Sequence, residues 1–239
     1  MSRQGIERGV SDDENRRSLT GWLARLGASL RGTLDYAELG YAADGMVHVS
    51  RALPRFFSAM RDRGAPVLVD LGPAVGENVS LLGDLLGCKV HIEDVFGDLN
   101  RLMKDRRASE IRTDLPTRFS HSDGSIDGVL CWDVFDYLSP PAAAALVAEV
   151  ARMLKPGGVG MAIFSTMRSN EGRYRKYVMV DEHHVRHRSY PAAQGLHRLW
   201  SSRDVQLLLS TLEVDESFVL THRQRETLFR QPMHAGGSH

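Results

Sequence analysis

The segment VLVDLGPAVGEN, residues 67–78, constrains the fold of this chain more than any other. A short apolar run ends in Asp70 and passes at once into a turn with two glycines, Gly72 and Gly76, that opens a helical pattern. This order is typical of a buried parallel strand that ends at the rim of an open α/β sheet, where such folds bind ligands. Because glycine lacks a Cβ, the main chain of the turn can approach a ligand, and the next helix presents unpaired N–H groups. The segment predicts a nucleotide-cofactor site, with an ordinary strand-to-helix turn as the alternative.

The composition is that of a globular domain with an ample core. The chain has 239 residues, of which 42% are hydrophobic and 25% are charged. Basic and acidic residues number 30 each, so the formal net charge is zero and predicts no general attraction to nucleic acid or to an anionic membrane. Cys88 and Cys131 fall within predicted strands, which favours reduced thiols over disulfides and gives no metal site. No apolar run approaches the length of a membrane span, so we expect a soluble, cytoplasmic protein.

The region before the first strand predicts a separate helical element. Residues 1–17 are charged and without periodicity, and we expect them to be disordered. Apolar spacing predicts helices over residues 19–31 and 48–61, which together form a helical extension over residues 18–64. This extension is either a packing layer on the sheet or a lid over the ligand site.

From Pro66 onward, strand and helix patterns alternate, as in a doubly wound α/β fold. We assign this domain to residues 65–232, followed by a flexible tail over residues 233–239. The predicted strands lie near residues 67–71, 89–93, 126–132, 159–164, 214–220 and 226–230, with a further short strand near residues 110–113. The predicted helices lie near residues 77–86, 98–107, 141–154 and 202–212.

Four motifs in this order resemble those of one family. They are DLGPAVGEN, the acid pair in VHIEDVF, SDGSIDGVLCWDVFDYL, and ARMLKPGG followed by an apolar strand. Over about residues 66–165, the chain is similar to the class I, Rossmann-like methyltransferases that depend on S-adenosylmethionine. The resemblance implies a seven-stranded, mostly parallel sheet whose last strand enters antiparallel, as a hairpin with the sixth. The segment VDESFVLTHRQRETLFRQ suits that hairpin.

The resemblance also implies which residues bind the cofactor. Asp70, Gly72 and Gly76 would surround the methionine portion and the ribose edge, with Asp70 drawing the amino group. One acid after the second strand would accept hydrogen bonds from both ribose hydroxyls. The apolar pattern of VHIED favours Asp94 for this role, with Glu93 as the close alternative.

Three further residues are implied at the cofactor. Asp114, in IRTDLP, matches the acid that receives the adenine amino group, although a turn-forming aspartate is the alternative. Cys131 and Trp132 end the fourth strand, where the family lines its cofactor, and plain core packing is the rival interpretation. The chain departs from the family at Ala74, where a third glycine is usual, and the added methyl group could weaken cofactor binding.

The implied reaction needs little from protein side chains. The sulfonium of S-adenosylmethionine is an activated methyl donor, so the enzyme mainly holds an acceptor in line with it. We therefore assign no catalytic residue. Asp133 and Tyr137 lie on the acceptor side, but helix capping and packing are their alternative roles.

An insertion over residues 166–203 is rich in Arg, His and Tyr. In this fold the segment after the fifth strand usually borders the acceptor, so its basic residues could bind a carboxylate, a phosphate or a nucleic-acid backbone. A solvated excursion is the alternative. The cluster DEHHVRH, with His183, His184 and His187, lacks a helical frame, and we predict no metal site there.

Three hypotheses follow for the function. The first is an S-adenosylmethionine-dependent methyltransferase that acts on a small molecule, with nucleic acid or protein as alternative acceptors. CWDVFDYL lacks an N-P-P-Y-like tetrapeptide, which argues against methylation of amino groups on bases or glutamine. The second is a nicotinamide-dependent oxidoreductase, which the absence of G-x-G-x-x-G disfavours. The third is a non-catalytic or regulatory protein that retains the fold.

Overall fold

A computed structural model describes residues 45–104, 118–167, 173–191 and 197–233. All of them belong to one compact unit, Ala42–His239. The predicted helix over residues 19–31, the predicted strand near residues 110–113 and Asp114 lie outside the described residues. None of the helices in the described part of the chain combines the length and the apolar character that crossing a bilayer requires.

The described residues form nine strands, five α-helices and a short 3-10 helix, Val134–Tyr137. The strands are β1 (Val47–Val49), β2 (Val67–Asp70), β3 (Lys89–Ile92), β4 (Ile126–Trp132), β5 (Leu154–Ser165), β6 (Arg173–Met179), β7 (His184–Pro191), β8 (Glu213–Val219) and β9 (Gln224–Arg230). The helices are α1 (Leu53–Arg61), α2 (Gly76–Leu86), α3 (Val95–Lys104), α4 (Pro140–Met153) and α5 (Ser202–Leu208).

The main sheet is mostly parallel. Its strands lie in the order β3-β2-β4-β5-β9-β8, so that the chain starts in the middle of the sheet and winds to both sides. The pairs β2–β3, β2–β4 and β4–β5 are parallel, whereas β9 runs antiparallel to both β5 and β8. The sheet has six strands among the described residues, where the sequence predicted seven. The seventh predicted strand, near residues 110–113, lies outside the described residues.

Helices cover both faces of this sheet, because successive side chains of a strand point to opposite sides. On β4, Cys131 packs on the face that α3, α4 and α5 cover. Its neighbour Trp132 packs on the other face, with α1 and α2. The result is the three-layered α/β fold that the alternating pattern predicted.

The helix predicted over residues 48–61 is shorter than expected. It begins at Leu53, and residues 47–49 instead form β1. Pro54 explains the difference, because proline lacks an N–H and is tolerated only in the first turn of a helix. The main chain N–H groups of Arg51 and Ala52 donate to the buried carboxylate of Glu226 on β9, at 2.7 and 2.9 Å. The start of α1 is thereby bound to the main sheet.

A second sheet forms from β1 and two strands of the insertion over residues 166–203. Its strands lie in the order β1-β7-β6, and all pairs are antiparallel. The β6–β7 hairpin, residues 173–191, contributes Tyr177, Met179 and Val185 to the core on the α1–α2 face. The insertion is therefore a packed layer in this region, where a solvated excursion was the alternative.

The hairpin is bound to the start of α2 through one buried side chain. The amide of Asn78 donates to the carbonyl of Tyr177 at 2.9 Å and accepts from the N–H of Met179 at 2.8 Å. Asn78 is almost fully buried, with 1% of its surface exposed. The amide of Asn78 therefore pairs with main-chain groups of β6, as the main chain of a neighbouring strand would.

Replacing Gly160 of β5 with alanine is expected to lower the free energy of unfolding by about 1 to 3 kcal/mol, because a buried methyl group would be forced in. Gly160 lies opposite Phe229 of β9, and a Cβ at Gly160 would overlap the buried Phe229 ring. Gly83→Ala is the matched control, since a Cβ there meets no atom within 4 Å. Alanine also favours the helix by up to about 1 kcal/mol at that position. Urea unfolding measures the free energy of unfolding of Gly160→Ala and Gly83→Ala. Equal values for the two variants would contradict the expectation.

Candidate functional site

The turn after β2 holds a buried carboxylate. Asp70 is 1% exposed, and its Oδ1 accepts hydrogen bonds from the N–H of Gly72 at 2.8 Å and from Nε1 of Trp132 at 2.7 Å. Its Oδ2 has no hydrogen-bond partner within the described residues. Burial raises the pKa of Asp70 from 3.8 to about 6, although interactions with the N–H of Gly72, the indole of Trp132 and the side chain of Asn78 oppose the shift. A buried acceptor oxygen without a partner is suited to a ligand that donates.

The glycines of the turn have different surroundings. A Cβ at Gly72 would lie 2.6 Å from Cδ1 of Trp132, so that no side chain fits there. A Cβ at Gly76, the first residue of α2, would meet no atom within 4 Å. Ala74, the departure from the family pattern, is exposed. Of the two glycines in this turn, Gly72 is therefore the one at which the surrounding side chains require glycine.

The two acids after β3 point to different neighbours. Glu93 lies 2.8 Å from Nε2 of His121 and 3.5 Å from Nη2 of Arg118. Asp94 accepts a hydrogen bond from the N–H of Gly97 at 3.0 Å, and it lines a cavity. Of the two predicted ribose ligands, Asp94 is the one that faces open space.

This cavity has a volume of about 400 Å³, within the range of about 300 to 1,000 Å³ that ligand sites usually have. It lies beside the carboxyl ends of β2 and β3, where open α/β sheets bind ligands. One wall comes from the turns after these strands and from α3, and the other comes from the β6–β7 hairpin. The lining residues are Pro73, Asp94, Phe96, Gly97, Asn100, Tyr174, Lys176 and Arg188.

The two residues at the end of β4 differ in what they can contact. Cys131 is fully buried in the core on the α4 face, and burial raises the pKa of its thiol far above the usual value. Trp132 lies on the opposite face beside Asp70 and Gly72. Of the two predicted cofactor contacts, Trp132 is the one whose side chain forms a hydrogen bond with the turn.

The comparisons with known proteins identify the family. A family profile described as a methyltransferase domain matches residues 41–210. The chain belongs to this methyltransferase family. It is a methyltransferase of the class that uses S-adenosylmethionine, in agreement with the resemblance of its motifs.

Solved structures with a similar arrangement are distant in sequence. One is the 1,6-didemethyltoxoflavin-N1-methyltransferase of Burkholderia thailandensis, with bound 1,6-didemethyltoxoflavin and S-adenosylhomocysteine; it is 14% identical, with a TM-score of 0.48 over 95% of this chain and 93% of that one. Another is a SAM-dependent methyltransferase of Aquifex aeolicus, 15% identical, with a TM-score of 0.46 over 75% of this chain and 89% of that one. No curated protein sequence shows significant similarity to this chain.

The residues of the methyltransferase fit S-adenosylmethionine in their chemistry. The carboxylate of Asp94 faces the cavity, and a carboxylate has two oxygens to accept from the two hydroxyls of a ribose. The unpartnered Oδ2 of Asp70 can accept from the ammonium of an amino acid.

The methyltransferase also contains a buried polar cluster that the sequence only partly indicated. Oδ2 of Asp133 accepts from the hydroxyl of Tyr177 at 3.1 Å and from the hydroxyl of Tyr137 at 3.5 Å, and it lies 3.6 Å from Nη1 of Arg175. Burial raises the pKa of Asp133 to about 6, although Arg175 and the tyrosines oppose the shift. Asp133 and Tyr137 were candidates from the sequence, whereas Arg175 and Tyr177 were missed.

The described residues hold no group of three or more His, Cys, Asp or Glu side chains that could bind a metal ion. Of the three histidines in DEHHVRH, His184 pairs with Asp181, with Nδ1 2.8 Å from the carboxylate. His187 instead lies beside the rings of His48 and Tyr177. The strand geometry of β7 separates these side chains.

Proposed function

We propose that this protein transfers the methyl group of S-adenosylmethionine to a small-molecule acceptor. The observation that carries the proposal is the cavity of about 400 Å³ beside the ends of β2 and β3, with Asp94 in its wall and Asp70 in the adjacent turn. When bound, S-adenosylmethionine supplies an activated methyl group on a sulfonium. The chain itself has to bind the cofactor and the acceptor, hold them in line and exclude water. Positioning of this kind contributes about 7 to 11 kcal/mol to such reactions.

In this proposal each predicted cofactor residue has a separate task. Asp94 binds the ribose hydroxyls, while Asp70 accepts from the ammonium of the methionine portion. Asp114, which lies outside the described residues, remains the predicted partner of the adenine amino group. Glu93, with Arg118 and His121 as its partners, supports the turn from behind.

A small-molecule acceptor is favoured by the position of the basic side chains. Lys176 of β6 and Arg188 of β7 lie directly opposite each other in the hairpin, and both line the cavity. Two cations in a cavity wall suit an acceptor with a carboxylate or phosphate group.

A cytoplasmic location is part of the same proposal. Cys88 and Cys131 are both free thiols, as expected in a reducing compartment.

The proposal is tested by calorimetric titration of the wild-type protein with S-adenosylmethionine and S-adenosylhomocysteine. We expect saturable binding of both. Methyl-labelled cofactor, incubated with a panel of hydroxybenzoates and the matching neutral hydroxybenzamides, is then expected to label the carboxylates preferentially. Arg188→Gln should reduce that preference, whereas Arg203→Gln on α5, away from the cavity lining, should not. Absence of heat with either cofactor would disprove the proposal, and tight binding without transfer to any acceptor would favour a regulatory role.

A further inference from the structure

The indole of Trp132 covers the turn that carries Gly72. A Cβ at Gly72 would lie 2.6 Å from Cδ1 of Trp132 and 3.0 Å from its Nε1. Carbon atoms in contact are usually about 3.5 to 4.0 Å apart. No ligand atom therefore fits against this side of Gly72 while the indole keeps its position.

Two contacts hold the indole there. Its Nε1 donates to Oδ1 of Asp70 at 2.7 Å. Its ring stacks on Tyr177, with the planes 2° from parallel and the centroids 5.2 Å apart. The hydroxyl of Tyr177 in turn donates to Asp133 and accepts from Gln224, at 3.1 and 2.9 Å. The position of the indole is thus determined from the turn on one side and from the hairpin on the other.

The main chain at Trp132 is in an unusual conformation. Its φ is 50°, in the left-handed region that bulky side chains rarely adopt. The pairing of β4 with β5 shifts register between Leu130 and Trp132. Such outliers persist only where their surroundings enforce them, and they occur most often at functional sites.

The opposite end of the site is open. The cavity of about 400 Å³ extends along Asp94, Phe96 and Gly97, and Trp132 is not among its lining residues. One end therefore has room for an adenosine, whereas the turn with Asp70 and Gly72 is covered.

We propose that Trp132 is a specificity-determining residue of the cofactor site, because it controls whether a ligand can reach the turn that carries Asp70 and Gly72. A ligand with only the adenosine portion binds while the indole stays in place. A ligand that also carries the amino-acid chain displaces the indole, and Asp70 exchanges the indole N–H for the ammonium of that ligand. This inference depends on the proposed function, since it assumes that the cavity binds the cofactor.

Calorimetry with two probes tests the inference. The probes are S-adenosylhomocysteine and 5′-methylthioadenosine, which lacks the amino-acid chain. Trp132→Phe retains an aromatic ring for Tyr177 but removes the N–H that binds Asp70, so we expect it to bind S-adenosylhomocysteine about tenfold more tightly than the wild type. Binding of methylthioadenosine should change less than twofold. Weaker binding of S-adenosylhomocysteine by the variant would show that the indole is a ligand contact, and would overturn the inference.

A fluorescence measurement tests it with Trp132 intact. The chain has three tryptophans, so Trp22→Phe combined with Trp200→Phe leaves Trp132 as the only reporter. S-adenosylhomocysteine is expected to shift or quench its emission, while methylthioadenosine leaves it unchanged. Binding of S-adenosylhomocysteine in the calorimeter without a change in emission would overturn this inference and leave the proposed function intact. Failure of both ligands to bind the wild type and Trp132→Phe would overturn both.

Discussion

Replacing Asp94 with alanine is expected to weaken binding of S-adenosylhomocysteine by about a hundredfold. Asp94 lines the cavity beside β3, and its carboxylate can accept from both hydroxyls of a ribose. A hydrogen bond to a charged acceptor contributes about 1.5 to 3 kcal/mol, so the loss of two such bonds removes about 3 kcal/mol or more. Calorimetric titration of the variant and the wild type measures this difference directly.

Two further variants make the Asp94 experiment specific. Asp94→Asn keeps an oxygen that can accept from the N–H of Gly97, so the turn is retained. This variant therefore tests how much the negative charge of Asp94 contributes to binding. Glu93→Gln is the matched control, because Glu93 contacts Arg118 and His121 and does not line the cavity. We expect Asp94→Asn to lose at least tenfold in affinity and Glu93→Gln to stay within threefold of the wild type. The reverse order would identify Glu93 as the ribose ligand.

Acidification from about pH 7.5 to about pH 4 is expected to cost the wild-type protein about 3 kcal/mol of unfolding free energy relative to His48→Leu. His48 of β1 lies between His222 and His187, with ring centroids 4.2 and 5.7 Å away, and neither of its ring nitrogens has a hydrogen-bond partner in the described part of the chain. Burial, followed by repulsion from His222, His187 and His184, lowers the pKa of His48 from 6.5 to about 3. The unfolded chain therefore takes up a proton below about pH 6.5, whereas the folded chain does so only near pH 3. Stability is lost progressively as the pH falls through that window.

The comparison with His48→Leu is needed because other groups act in the opposite direction. The pKa values of Asp70 and Asp133 are raised from 3.8 to about 6, so both carboxyls favour the folded state as the pH falls from about 6 towards 3.8. Urea unfolding of both proteins at several pH values isolates the contribution of His48. His183→Leu, in the exposed turn between β6 and β7, is the matched control. A difference between wild type and His48→Leu that stays constant across the pH range would contradict the expectation.

The sequence predicted the central layer of the fold well, because the inner strands β2, β4 and β5 are mostly buried and therefore appear as short apolar runs. The strand over residues 126–132 was predicted with the bounds that the structure shows. The hairpin of β6 and β7 was missed because its strands carry Arg, Lys and His among the apolar residues, a pattern that also fits a solvated loop. The start of α1 was placed five residues too early, although Pro54 carried the relevant signal.

The candidate site was predictable only where its residues adjoin one another in sequence. The turn with Asp70 and Gly72 and the acid pair Glu93 and Asp94 follow directly from strand ends. The stacking of Trp132 on Tyr177 joins residues that are 45 positions apart, and no local pattern encodes such a contact. Only the fold of the insertion brings them together.

The double hydrogen bond of Asn78 limits how a ligand can enter. If the β6–β7 hairpin swung outward, the amide and two main-chain groups would lose their partners, at about 1 to 3 kcal/mol for each group that stays buried. The start of α2 and the hairpin that forms one wall of the cavity are therefore expected to shift together as one rigid piece. Ligands would then pass in and out along the rim of this wall, and the displacement proposed for Trp132 would be a side-chain motion that leaves the hairpin in place.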